Sequence, residues 1–185
     1  MTVYSIRRIL LESYPVLFVC VVIGLFAGAT LQRSLDNIRG TLVVMMVPLL
    51  NGISGNLGCI LGARLGSALH LGIIEPRLKG RALRRNVDAS VLTSIGIFLF
   101  ISAIFFLIAY MWGMGLEGAF KHALAFMVAG MLLIPVIVFS TILFAFISFR
   151  KGLDPDNVVI PIVTSIIDVS AAVSLLIVAV NIVGV

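Results

Sequence analysis

Charge is what this sequence has least of. Asp, Glu, Lys and Arg together make up 11% of its 185 residues, whereas hydrophobic residues make up 61%; a soluble domain carries about 25% charged and 45–50% apolar residues. A chain this short has too little interior to hide that much apolar surface, and its mean hydropathy of +1.23 assigns the excess to lipid. Cysteine is scarce too. Cys20 and Cys59 both fall in apolar runs, so they read as small hydrophobes, not as a disulfide or a metal pair. There is no P-loop, which argues against ATP-driven chemistry. There is also no internal repeat and no polar stretch long enough for a separate soluble domain. The first apolar run lacks a small-residue cleavage site and is expected to stay in the protein as a helix. The net charge of +5 sits in short segments between apolar runs. That is the pattern of topology signals and contact with membrane lipids, not of a nucleic-acid groove.

What is present is apolar sequence in lengths that suit a bilayer, which takes roughly 20 mostly apolar residues per helix. The runs predict an all-α polytopic membrane protein, one domain over residues 1–185, with five transmembrane helices near 13–31, 41–74, 89–112, 122–149 and 157–183. The apolar stretch behind the second helix, Gly40 to Ile74, would be about 50 Å long as one straight helix, well beyond a bilayer. It is therefore expected to tilt, protrude or break. The expected break is Asn51-Gly52-Ile53-Ser54-Gly55-Asn56, after Pro48, where Gly and Asn weaken a helix.

The basic residues set the orientation. Arg7, Arg8, Arg77, Lys79, Arg81, Arg84, Arg85, Arg150 and Lys151 share one side, against Arg33, Arg39 and Lys121 on the other. The N-terminus is expected in the cytoplasm and the C-terminus outside, with the plasma membrane as the location.

Asp168 is the only charge in the fifth helix. A carboxylate near mid-membrane costs about 2.5–3.5 kcal/mol on insertion scales and marks an ion pathway by default. Helical spacing puts Thr164 and Ser165 one turn before it and Asn157 and Pro161 on roughly the same face. Such an oxygen-bearing stripe suits a hydrated hard cation. The alternative is a structural ion pair between Asp168 and Arg64, the charge inside the second helix. Asp154-Pro155-Asp156-Asn157 opens the fifth helix, where an Asp serves as a cap and also attracts cations at a pore mouth. In the second helix, Gly58, Gly62 and Gly66 recur every four residues, as do Gly24 and Gly28 in the first, a spacing that lets helices approach closely. At the expected break, the backbone carbonyls of Gly52 and Gly55 and the side chain of Asn56 are candidate cation ligands.

Two stretches resemble a known family. Pro48 to Leu57, continuing to Ala63-Arg64-Leu65, resembles the second-helix signature of MgtE-type magnesium transporters, and is closest to their solute carrier 41 relatives. Asp154-Pro155-Asp156-Asn157-Val158, followed by Pro161, Thr164 and Asp168, resembles their fifth-helix signature. The resemblance implies a five-helix unit that pairs with a second copy, forming a pore at a two-fold dimer interface. It implies that Asp168 is the acid of a central site for largely hydrated Mg2+, that Asn56 and the glycine-rich segment face it, and that Asp154 lies at the cytoplasmic mouth. Three departures follow. Only about a dozen residues precede the first helix, where MgtE proteins carry a large sensor, and there is one unit where solute carrier 41 proteins carry two. Gly58, Ile60 and Ala63 stand where relatives often have polar residues.

The expectation is a transporter or channel for divalent cations, most of all Mg2+ with Mn2+ as an alternative, acting as a homodimer and not as an enzyme. Its candidate ion-contacting residues are Asp168, Asn56, Asp154, Asn157, Thr164, Gly52 and Gly55. Two other readings differ in class. One is a non-transporting membrane subunit of a larger complex. The other is an intramembrane serine protease built on Gly52-Ile53-Ser54-Gly55, which needs a histidine within reach of Ser54.

Overall fold

The computed structural model describes residues 6–38 and 42–184. Arg39, Gly40 and the expected start of the second span at position 41 lie outside the described residues, as does the side chain of Asp156. The described chain folds into five long helices: α1 (Ile6–Ile38), α2 (Val43–His70), α3 (Arg81–Met111), α4 (Gly115–Arg150) and α5 (Pro155–Val178). A π-helical turn, Ala179–Val183, continues α5. All five are long and apolar enough to cross a membrane.

α1, α3 and α4 outrun the apolar stretches that predict them, whereas α2 ends at His70, short of the expected 74. α3 begins at 81 instead of 89, and α4 at 115 instead of 122. Apolar runs mark only the part in hydrocarbon, whereas helices continue through polar turns at the interface. Arg84–Asp88 at 3.7 Å and Lys121–Glu117 at 2.6 Å support those extra turns as i,i+4 pairs. α2 and α4 stop by one device. Gly72 and Gly152 take φ of 69° and 67°, and the next N–H reaches back into the helix, from Ile73 to Ala68 O at 2.9 Å and from Leu153 to Ser148 O at 3.0 Å.

The expected break in α2 does not occur: residues 43–70 form one continuous helix. Pro48 stands only six positions into it, and each Gly costs about 1 kcal/mol relative to Ala. Unpaired backbone groups in hydrocarbon cost several kcal/mol each, so the unbroken helix wins. Twenty-eight residues span about 42 Å, and tilt or protrusion absorbs the excess.

α4 packs against α3, α5 and α2, and α5 lies among α4, α2 and α1. α1 stands at the margin against α5 and barely meets α2. Lipid tails are as apolar as the core, so close packing and interhelical hydrogen bonds hold such a bundle together. Ser102 donates to Ala123 O at 2.7 Å across α3 and α4, and Ser174 to Ala129 O at 3.2 Å across α5 and α4. Gly130 on α4 lets Phe98 lie flat on it, since a Cβ there would sit 2.5 Å from the ring. Gly24 and Gly28 differ: among the described residues nothing lies within 4 Å of a Cβ built on either.

Candidate functional site

The two signature stretches meet where α2 crosses α5. Gly58 and Gly62 form the contact: a Cβ on Gly58 would stand 2.8 Å from Ile167 and 2.9 Å from Val163, and one on Gly62 3.4 Å from Val159. The packing reading of this glycine repeat is thus seen directly. At the same crossing Gly55 faces Thr164, with its built Cβ 3.7 Å from Thr164 Cγ2. Thr164 itself donates back to Ile160 O and Pro161 O, each at 3.0 Å, so its hydroxyl is already engaged with its own helix.

Asp168 lies one turn beyond Thr164 and is half-buried. On α5, Val159, Val163 and Ile167 face α2, while Val169, Val173 and Leu176 face α1. Helical spacing puts Asp168 between these two faces, toward the gap that α1 and α2 leave between them. Among the described residues, Asp168 makes no ion pair and no hydrogen bond. The alternative of an Asp168–Arg64 pair is therefore not formed. Arg64 is exposed on α2, on the side away from the α4 core.

Gly52 and Asn56 share that uncovered side of α2 with Ile60, Ala63 and Ser67. Because α2 is unbroken, the carbonyls of Gly52 and Gly55 belong to a regular helix, and the reason for reading them as freed ligands falls away. Asn51 Oδ1 and Ser54 Oγ are buried without a hydrogen-bond partner. Neither histidine reaches Ser54: the Nδ1 of His70 and of His122 pair with Gly66 O and Gly118 O of their own helices, at 2.9 and 2.8 Å. The protease reading has no nucleophile–base pair to stand on.

At the other end of α5, Asp154 occupies the position just before Pro155 opens the helix, the N-cap position expected from the sequence. It lies fourteen residues from Asp168, about 21 Å along the helix, so the two acids belong to different places. Glu12 of α1, which the sequence reading passed over, joins this end. Its Oε2 accepts from the Asp154 backbone N–H and from Asn157 Nδ2, both at 3.3 Å. The only signal for it in the sequence is an acid at the head of an apolar run.

Comparison with known proteins bears on this arrangement. The family model of MgtE, described as a divalent cation transporter, matches residues 47–178, from just before the Pro48 motif through the whole of α5. This chain belongs to the MgtE family. Solute carrier family 41 member 3 of Rattus norvegicus is 23% identical over 180 residues, covering 88% of this chain and 38% of its own length. Its Mus musculus counterpart is also 23% identical over 180 residues, covering 88% and 36%. The chain thus spans less than two-fifths of the curated relatives it matches. As an MgtE-family chain with five membrane-crossing helices, it is a multi-pass membrane protein of a divalent cation transporter family. Both motifs that suggested the resemblance fall inside the matched region.

Proposed function

We propose that this MgtE-family chain carries divalent cations, Mg2+ above all with Mn2+ as a second candidate, along a passage between two copies of itself, with Asp168 at its centre. The observation that carries the reading is a half-buried carboxylate within a membrane helix with no ion pair and no hydrogen bond among the described residues. Such a group calls for water or a cation. Helical spacing turns it toward the gap between α1 and α2, and Asn56 lies exposed on the uncovered side of α2.

Charge supports two copies. Asp168 is the one charge between Asn157 and Val185, so one chain offers a single negative charge at that depth. Two copies offer two, which balance a divalent ion; without one they repel. A hydrated Mg2+ needs few direct ligands because it keeps most of its waters. Asn56 and Thr164 then serve as outer contacts, Gly52 as a small residue that keeps the passage wide, and Gly55 as the close contact that seats Thr164 against α2. Asp154 and Asn157, with Glu12 beside them, form the cytoplasmic mouth. By the positive-inside count that end faces the cytoplasm and the C-terminus the outside, and the plasma membrane is the proposed location. A divalent ion entering down the potential gains about 4.6 kcal/mol per 100 mV, twice the single-charge value.

Flux of Mg2+ into liposomes that hold the purified chain tests this. Wild type is expected to conduct, and Asp168→Asn to lose at least about tenfold, since removing the charge removes the group that offsets dehydration. Flux undiminished in Asp168→Asn rules out the site. No flux in the wild type favours the reading as a non-transporting subunit.

A further inference from the structure

Toward lipid, α4 presents Phe139, Leu143 and Ile147 at helical spacing, with the more deeply set Phe146 beside them, and the ridge ends at Arg150. These side chains form one wall of a groove of about 260 Å3 whose other wall is the loop between α2 and α3, which brings Arg77 to the same mouth. From Phe139 to Arg150 the helix rises about 16 Å, the depth of one leaflet of a roughly 30 Å hydrocarbon layer. The groove therefore has an apolar length that matches one lipid tail and a cationic end at headgroup height.

The cationic end is built. Arg150 Nη2 donates to the Pro76 carbonyl at 2.6 Å, which pins the loop and stations the neighbouring Arg77 at the groove. Arg150 has no carboxylate partner among the described residues. Arg77 faces Glu75 at 3.6 Å, but both side chains are about three-quarters exposed, and exposed pairs of this kind hold weakly. Two guanidinium groups with donors to spare thus stand over an apolar channel.

We infer that this groove is a binding site for an anionic phospholipid, whose phosphate is held by Arg77 and Arg150 while one acyl chain lies along Phe139, Leu143 and Ile147. The guanidinium fork matches phosphate oxygens in pairs. A lipid of net negative charge is favoured over a zwitterionic one, which brings its own cation toward the two arginines.

Native mass spectrometry of the full chain in detergent, titrated with phosphatidylglycerol and with phosphatidylcholine of the same tails, tests the site. Wild type is expected to retain phosphatidylglycerol about tenfold better. Arg77→Gln, which leaves the Arg150–Pro76 bond intact, is expected to weaken phosphatidylglycerol about fivefold, and the Arg77→Gln/Arg150→Gln pair more than tenfold. Leu143→Trp fills the groove without touching charge and is expected to lower phosphatidylglycerol binding as well. Arg84→Gln/Arg85→Gln removes two charges at the same end of the bundle but outside the groove, and is expected to change nothing. Equal retention of both lipids overturns the inference. So does an Arg84/Arg85 effect as large as that of Arg77, or an undiminished signal in Leu143→Trp.

Discussion

Glu12 ties α1 to the start of α5, its Oε2 accepting from the Asp154 N–H and from Asn157 Nδ2. Both distances are 3.3 Å, the long end for such bonds, so each is worth about 1 kcal/mol and not the 1.5–3 of a short charge-assisted bond. Since α1 otherwise touches little besides α5, the loss is expected to register. Glu12→Ala should lower the unfolding free energy by about 1–2 kcal/mol, read as an earlier denaturation midpoint of the purified chain. Glu12→Gln keeps an acceptor oxygen and should lose less. Coincident curves for Glu12→Ala and wild type would show that α1 is anchored elsewhere. Asp168 was legible from sequence and Glu12 was not, for a physical reason. A charge deep in an apolar run announces itself by its desolvation cost, whereas an acid near a helix end is ordinary until the fold brings its partner, 142 positions away, alongside. The pairing of Asp168 with Arg64 stayed open in the sequence because linear spacing says nothing about which faces two different helices turn toward each other.

The helices themselves were readable as elements because hydrophobicity over about 20 residues is a long, redundant signal. Their ends were less so, because interfacial turns are helical without being apolar. The supposed break in α2 failed because its propensities describe helices in water, where a freed amide finds solvent, and not in lipid, where it does not. The glycine repeat was readable as packing but its partner was not. Only the fold shows Gly58 against Ile167 and Val163, both almost wholly buried, while a Cβ on Gly24 or Gly28, with the same spacing, meets nothing within 4 Å among the described residues. This difference makes a prediction about α2. A Cβ on Gly58 already intrudes to 2.8 Å, so the branched side chain of Gly58→Val should force α2 away from α5 and cost about 3 kcal/mol, at the upper end for overpacking. Gly52→Ala, with nothing within 4 Å of its new Cβ, should leave stability unchanged or slightly raised through helix propensity. Denaturation midpoints of the two variants check the contrast. Equal midpoints would mean that the α2–α5 crossing is looser than its geometry.

At the scale of the whole molecule, the polar groups of α2 raise a question of what covers them. Gly52, Asn56, Arg64 and Ser67 lie exposed along the side of the helix that turns away from α4, although a lone helix with an amide and a guanidinium facing lipid is costly. α1 does not shield that side, since it barely meets α2, and its own span is unburied. A second copy of the chain, laid against the same surface about a two-fold axis, would cover those groups in both copies at once, because an isologous interface presents the same residues to each other. On the proposed function, the same arrangement brings two Asp168 carboxylates toward one axis. This sets a geometric expectation for cross-linking. In a Cys20→Ser/Cys59→Ser background, Asn56→Cys should be joined to its counterpart in membranes by a short bis-maleimide and run as a dimer on a denaturing gel. Leu99→Cys, exposed on α3, a helix that packs chiefly on α4, should remain monomeric under the same treatment. Equal yields at the two positions would leave the uncovered side of α2 without a second copy, and the shared passage would lose its second wall while the five-helix fold of each chain stood unchanged.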